Sequence, residues 1–257
     1  MLLAVDVGNT NITLGLFRGA DLVGHWRLST EKSRTADEYA VQLFALLAQA
    51  GHGAEEIKGL SLACVVPPLG PVFTEIATRH LKARCLEVGP GIKTGIPLQV
   101  DNPREVGADR IVNALAAQTR FGGPCIVADF GTATTFDVVS RTGAYLGGAI
   151  MPGLGIEAEA LVQRTARLPL VEVVRPAHVI GRNTIESLQS GLLFGFVGAL
   201  EEMIRRIRAE LKAPRAPAIA TGGLADVVAR ETKVFKSVEP HLTLEGLRLI
   251  WERNGGA

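Results

Sequence analysis

Cysteine is scarce in this chain: three among 257 residues, at positions 64, 85 and 125, with no CxxC pair. Neither a disulfide framework nor the spacing of a zinc site is present, and all three read as small core residues in a reduced, cytoplasmic setting. Aromatic residues make up only 5%, and the two tryptophans, Trp26 and Trp251, read as core or interface anchors. Long apolar runs are missing as well. The longest uncharged stretch, GLSLACVVPPLGPVFT at 59–74, is broken by Pro67, Pro68 and Pro71, and Asp6 interrupts the only early apolar segment. Neither a membrane span nor a secretory leader is expected. Nor does one sign of charge prevail: 27 Lys and Arg face 26 Asp and Glu. No basic run is dense enough to follow a phosphate backbone, so nucleic acid is not expected as a partner. The common catalytic and nucleotide signatures GxxxxGK[ST], GxGxxG after a strand, HExxH and GxSxG are absent too. The five histidines are scattered and share no motif.

What is present is a chain with 47% hydrophobic residues, enough for one large core or two modest ones. LLAVDVG, NITLGLFRG and LVGHWRLST read as three strands joined by tight turns. From Asp37, EYAVQLFALLAQA carries apolar residues at helical spacing and ends at Gly51, and IKGLSLACVV then reads as a buried strand. A β-β-β-α-β order results. The start of the chain then has a counterpart in its middle: LLAVDVGNTNITLGLFRG at 2–19 and PCIVADFGTATTFDVVSRTG at 124–143. Asp6 pairs with Asp129, Gly8 with Gly131, and Asn9-Thr10-Asn11 with Thr132-Ala133-Thr134. This implies an internal duplication, with two α/β domains at 1–115 and 116–257 whose hairpin bends face one another across a cleft.

A single Asp-x-Gly turn is what many hairpins use. Two copies half a chain apart suggest more, because turn glycines permit close backbone approach, exposed N–H and hydroxyl groups suit phosphate oxygens, and a carboxylate at each bend can position a cation. IATGGLAD at 219–226 runs an apolar strand into Thr-Gly-Gly and a helix start. It suits either an ordinary strand-to-helix turn or an adenine ring lying against the backbone. Asp137, two positions after Thr135, reads as a strand or turn residue.

In VDNPREVGADRIVNALAAQTRFGG, Asn102, Pro103 and Glu105 fit N-cap, N1 and N3, and Gly122-Gly123 fit a stop, so a helix should cover much of 103–120. Gly107 within it marks a helix break or a close approach, since alanine there would be more favourable by roughly 1 kcal/mol. Asp109 reads as the N-cap of a second helix or as a functional carboxylate. GRNTIESLQSGLLFGFVGALEEMIRRIRAEL should be one long helix capped at Asn183 and Glu186. Its glycines at 191, 195 and 198 leave a smooth stripe for an internal crossing or a subunit contact. By themselves, these residues reach an ATP-dependent phosphotransferase or ATPase on a duplicated hairpin.

DVGNTN (6–11), PREVGADR (103–110), DFGTATT (129–135), GGAIMPG (147–153) and TGG (221–223) together resemble the type III pantothenate kinases, of the acetate kinase, sugar kinase, Hsp70 and actin superfamily. The resemblance implies two duplicated actin-like, ribonuclease H-like α/β domains with a central cleft. It also implies ATP-dependent phosphorylation of pantothenate to 4′-phosphopantothenate, the first step of coenzyme A synthesis. By the motif match, Asp109 would be the base. Asp6, Gly8, Asn9, Thr10, Asn11, Thr13, Thr132, Gly222 and Gly223 would bind ATP, with magnesium at Asp6. Asp129 would hold a monovalent cation, potassium or ammonium. Val100, Gly107, Ala108, Asp109, Arg110 and Thr184 would line the pantothenate site, Thr184 being supplied by the partner in a homodimer. Family members commonly carry Tyr at the place of Val100. A nucleotide-binding regulator that has lost catalysis is the alternative, to which only Val100 points.

Overall fold

The computed structural model describes residues 1–256. The chain opens with β1 (Leu2–Val7), β2 (Asn11–Arg18) and β3 (Asp21–Ser29), an antiparallel meander, followed by α1 (Ala36–Gln49). Helix α1 begins where the sequence offers Thr35 and Glu38, which close a reciprocal capping box. Strand β4 (Gly59–Cys64) lies parallel to β1; α2 (Leu69–Glu75) and β5 (Arg84–Glu87) complete a sheet of order β3-β2-β1-β4-β5.

After α3 (Ala108–Phe121) the pattern repeats with β6 (Cys125–Phe130), β7 (Ala133–Val139) and β8 (Tyr145–Pro152). Then come α4 (Leu154–Arg164), the long α5 (Thr184–Glu210), β9 (Ala218–Thr221), α6 (Ala225–Ala229), β10 (Phe235–Val238) and α7 (Leu242–Arg253). The second sheet has the order β10-β9-β6-β7-β8, the first sheet's topology over again. No helix among the described residues is long and apolar enough to cross a membrane.

Backbone packing separates two compact units: 1–97, 101–116 and 241–257 form one; 98–100 and 117–240 form the other. This differs from the partition at 115/116 expected from sequence, because α7 returns to pack on β1, β2 and β4 of the first unit. In that unit, alternate residues Leu3, Val5 and Val7 of β1 share a buried core with Tyr39, Leu43 and Leu47 of α1 and Phe73 of α2. Period-two alternation therefore places Leu2, Ala4 and Asp6 on the opposite face. In the second unit, Ile126, Ala128 and Phe130 of β6 pack with Leu193, Phe196 and Leu200 of α5. Burying each such Leu or Phe stabilises by about 1.5–3 kcal/mol, which holds the amphipathic face of α5 on the sheet. Asn183 caps α5, its Oδ1 accepting from the Glu186 N–H at 2.9 Å. The glycines at 191, 195 and 198 face outward, with nothing of the chain within 4 Å of a Cβ built there, so α5 makes no internal crossing along that stripe.

Candidate active site

In the first unit, Asp6 near the end of β1 stands opposite Thr13 of β2, and the bend between them closes with the Gly8 N–H donating to Asn11 O at 3.0 Å. The side chains of Asn9 and Thr10 are exposed on the bend. Thr30, after β3, pins it from below: its hydroxyl donates to Gly8 O at 2.7 Å and its N–H to Thr10 O at 3.0 Å. Two carbonyl oxygens that would repel a phosphate are thus occupied. Thr30 escaped the sequence reading; its only signal was a hydroxyl residue ending the third strand.

The expected helix over 103–120 is interrupted. Pro103–Glu105 form a single 3-10 turn capped by Asn102, and α3 starts afresh at Ala108. Gly107 O accepts the first helical bonds, from the Arg110 and Ile111 N–H groups at 3.1 and 3.3 Å. Asp109 is therefore inside the first turn rather than at the cap. Its Oδ1 takes the Arg110 N–H at 2.9 Å, and a Cβ on Gly107 would lie 2.4 Å from that oxygen. Glycine at 107 is what lets the carboxylate fold back over the turn. Desolvation pushes the Asp109 pKa above the ordinary carboxylate range, against the lowering pull of the Arg110 N–H and guanidinium. A half-buried carboxylate that holds a proton more tightly than usual is suited to general-base chemistry.

In the second unit, Asp129 of β6 stands opposite Thr135 of β7, and the Gly131 N–H donates to Ala133 O at 3.1 Å. This corrects the residue pairing expected from the repeat. The second bend is one residue shorter than the first, so Asn11 corresponds to Ala133 and Thr13 to Thr135. The Gly131-Thr132 bend is exposed, and Gly153 packs beneath it, its N–H donating to Thr132 O at 3.2 Å. The TGG turn lies against the same carboxylate. Gly222 has φ +92°, and a Cβ on it would fall 2.4 Å from Asp129 Oδ1, so only glycine fits there. Gly223 beside it is exposed, and α6 begins two residues on.

The structure thus gathers Asp6, Gly8–Asn11 and Thr13 at one bend, Gly107–Arg110 in one helical turn, and Asp129, Thr132 and Gly222 around a second bend. Val100, half-buried, is beside β8, 3.5 Å from where a Cβ on Gly147 would be. Thr184 is exposed at the first turn of α5, away from both bends along the chain. No group of three or more His, Cys, Asp or Glu side chains that could hold a metal ion occurs among the described residues. Single carboxylates at each bend fit ions that complete their shells with water, phosphate or neutral oxygens. A cavity of about 490 Å³ near the end of α5, lined by residues such as Arg205, Arg208 and Lys233, contains none of the site residues expected from sequence.

A family model described as type III pantothenate kinase matches residues 2–206. The type III pantothenate kinase of Geobacter sulfurreducens is 53% identical over 99% of both chains. The chain belongs to the type III pantothenate kinase family. The Moorella thermoacetica member of that family is 52% identical over 99% of this chain and all of its own. Among solved structures, a Campylobacter jejuni protein described as a Baf family transcriptional activator superposes with a TM-score of 0.64 at 18% identity, covering 99% of this chain and all of that one. At that identity the likeness speaks for the fold, two five-stranded sheets of the same topology, and not for activity. Membership of the type III pantothenate kinases implies ATP and a divalent metal.

Proposed function

We propose that the chain transfers the γ-phosphoryl group of ATP to the 4′-hydroxyl of pantothenate with Asp109 as general base. The observation that carries this reading is the Asp109 carboxylate itself, folded over the first turn of α3 by Gly107 and raised in pKa by burial. Asp109 removes the hydroxyl proton as the new O–P bond forms and the bond to the ADP oxygen breaks. A loose transition state asks for alignment and charge stabilisation more than for a strong nucleophile. Arg110, next in the turn, offers the planar fork that suits the carboxylate of pantothenate, with Gly107 and Ala108 giving a flat backbone beneath it. Gly8 to Asn11, Thr13 and Thr132 meet the phosphates; Gly222 and Gly223 leave room for the adenine. Asp6 would hold magnesium, which neutralises charge on the phosphates when bound. Asp129 would hold a potassium or ammonium ion.

Val100 replaces the family's common Tyr and contributes an aliphatic wall. Thr184 enters the pantothenate site from a partner subunit. A homodimer is supported by the surface of the second unit, where Ile150, Leu170, Val179, Ile180 and Ile185 are exposed, Ile180 to 83%. Thr184 adjoins the exposed Ile185 in the first turn of α5. The balanced charge and the lack of a membrane-crossing helix among the described residues suit a cytoplasmic enzyme.

The test is ADP release by purified protein with ATP, magnesium and potassium, with and without pantothenate, for the native chain and Asp109→Asn. Pantothenate-dependent turnover that falls at least about a hundredfold in the variant is expected, the lower range for losing a general base. Turnover unchanged in the variant would return Asp109 to a structural role. No pantothenate-dependent turnover in the native chain would overturn the reading altogether.

A further inference from the structure

Helix α7 connects the Asp109 turn to the sheet that bears the Asp6 bend. One stripe of the helix meets a row of small residues running across three strands: Gly15 of β2 pairs with Ala4 of β1, and Ala4 with Ser61 of β4. Ala4 shares its sheet face with Asp6, two residues on. Small side chains let the helix come close. A Cβ on Gly15 would lie 2.8 Å from Leu244 Cδ1, and the fully buried Ser61 hydroxyl donates to Leu247 O at 2.9 Å. The neighbouring stripe of α7, Thr243 and Gly246, meets α3. A Cβ on Gly246 would overlap the Val112 carbonyl oxygen, so the two helix backbones touch there. Beside that contact the Thr243 hydroxyl donates at 2.7 Å to Oδ1 of Asn113, which is only 1% exposed. Val112 and Asn113 stand three and four residues after Asp109, the spacing that puts side chains on one face of a helix. All of these residues belong to the first unit.

We propose that Thr243 and Gly246 are positioning residues for Asp109, setting where its carboxylate stands relative to the Asp6 bend, an inference that rests on the reading of Asp109 as the base. Apolar contact alone would hold two helices together without fixing how far one slides along the other. The buried Asn113 amide fixes it, because sliding α3 by a fraction of a turn breaks the Thr243 bond in a water-poor interior. Gly246 fixes the separation, since a larger residue would push the backbones apart. On the sheet side, Ser61 does for α7 what Thr243 does for α3. Two hydrogen bonds thus link β4 to the helical face that carries Asp109. A general base must come within about 2.6–3.2 Å of the hydroxyl it deprotonates. Misplacement by about 1 Å can cost on the order of a hundredfold in rate. In the proposed reaction the phosphates lie at one of these elements and the acceptor hydroxyl at the other, so the spacing that α7 holds is the one phosphoryl transfer depends on.

The test is a double-mutant cycle of Thr243→Val, which keeps the shape but loses the hydroxyl, with Asp109→Asn. It reads pantothenate-dependent ADP release by the full chain, well below the melting point of each protein. Thr243→Val is expected to lower kcat at least about tenfold while the KM for ATP stays within about twofold, because the base shifts and the Asp6 bend does not. Thr243→Ser, which keeps the hydroxyl, should recover most of the loss. In the Asp109→Asn background the same Val substitution should change kcat by less than about twofold, since no base remains to be misplaced. Thr243 is half-buried at the start of α7, where alanine suits a helix, so Thr243→Ala takes the place of Val should that variant not fold. A Thr243 variant that melts lower yet turns over at the native rate would show a purely structural bond and overturn the proposal. Equal losses in both backgrounds would overturn it too. Native turnover retained by Asp109→Asn would sink the reading of Asp109 as base, and this proposal with it, whereas a large loss in Asp109→Asn upholds that reading whatever Thr243 does.

Discussion

The two sheets repeat not only a strand order but a burial pattern, residue by residue. Strands β1 and β6 both alternate to leave only their fifth residue, Asp6 or Asp129, half-buried. Strands β2 and β7 share seven successive burial states. Yet one bend spans four residues between its flanking strand pairs and the other three, and behind the bends one sheet has Gly15 where the other has Asp137. The shared features are those that backbone pairing and core burial demand. The differences lie on the face opposite the main core, where the first sheet receives α7 and the second buries polar side chains. Where a duplicated fold diverges at matched positions, the divergence marks what each half does.

The sharpest way to break this comparison is to make the halves alike. In Gly15→Asp, the new carboxylate would meet Leu244 and Leu22 with no hydroxyl to donate to it. A loss of about 4 kcal/mol is expected from an unpaired buried charge and overpacking, measured as a lower urea midpoint. A variant as stable as the native chain would show that the Gly15 site tolerates what we regard as specific to Asp137.

Much of this architecture was legible in the sequence. Period-two alternation and turn glycines gave the meander of each half, and the helical spacing from Asp37 and the Asn183-Glu186 cap marked α1 and α5 within a residue or two. The interruption at Gly107 was visible as a poor helix residue, but whether it meant a break or a close approach depended on the Asp109 side chain, which folds back only in three dimensions. The bend alignment slipped by one residue because matching hydroxyl residues mimic one another in text, whereas hydrogen-bond register does not. The return of α7 to the first unit was not legible, since an amphipathic helix does not name the sheet it covers. Asp137 does lie on β7, in keeping with its reading as a strand or turn residue, but a single Asp carries no sign of its burial.

The second contrast between the units is their surface. The large exposed apolar side chains of the first unit are Val23 and Val41, whereas the second exposes Ile150, Leu170, Val179, Ile180 and others between 146 and 185. If this surface is the dimer contact, Ile180→Asp should weaken self-association by at least about thirtyfold, the effect of losing a 2 kcal/mol anchor. Sedimentation over a range of protein concentrations reads it. A matched Val41→Asp in the first unit should leave the assembly state unchanged. Equal effects of the two substitutions, or none from either, would remove the distinction between the surfaces.

The smallest expected effect concerns Asp109, the site's carboxylate that belongs to neither bend. Its folded pKa is raised, so the folded chain binds that proton more tightly than the unfolded chain does. Between the ordinary Asp value, about 3.9, and the raised one, the folded state carries more protons, and stability falls as pH rises. Above the raised value the full penalty persists. Asp109→Asn has no proton to lose and escapes it, so the variant should melt slightly higher than the native chain near neutral pH, with the difference closing as pH falls below the ordinary carboxylate range. In the proposed role of Asp109 as base, catalysis would run the opposite way, because only the ionised carboxylate accepts a proton: native kcat/KM should then decline on acidification through a pKa above that of a free carboxylate. Melting curves of both proteins across pH, paired with rates for the native one, test both signs together. A variant that melts lower at neutral pH would mean that Asp109 is held by its partners more strongly than burial disfavours its charge, and that stability and catalysis are not opposed at this residue.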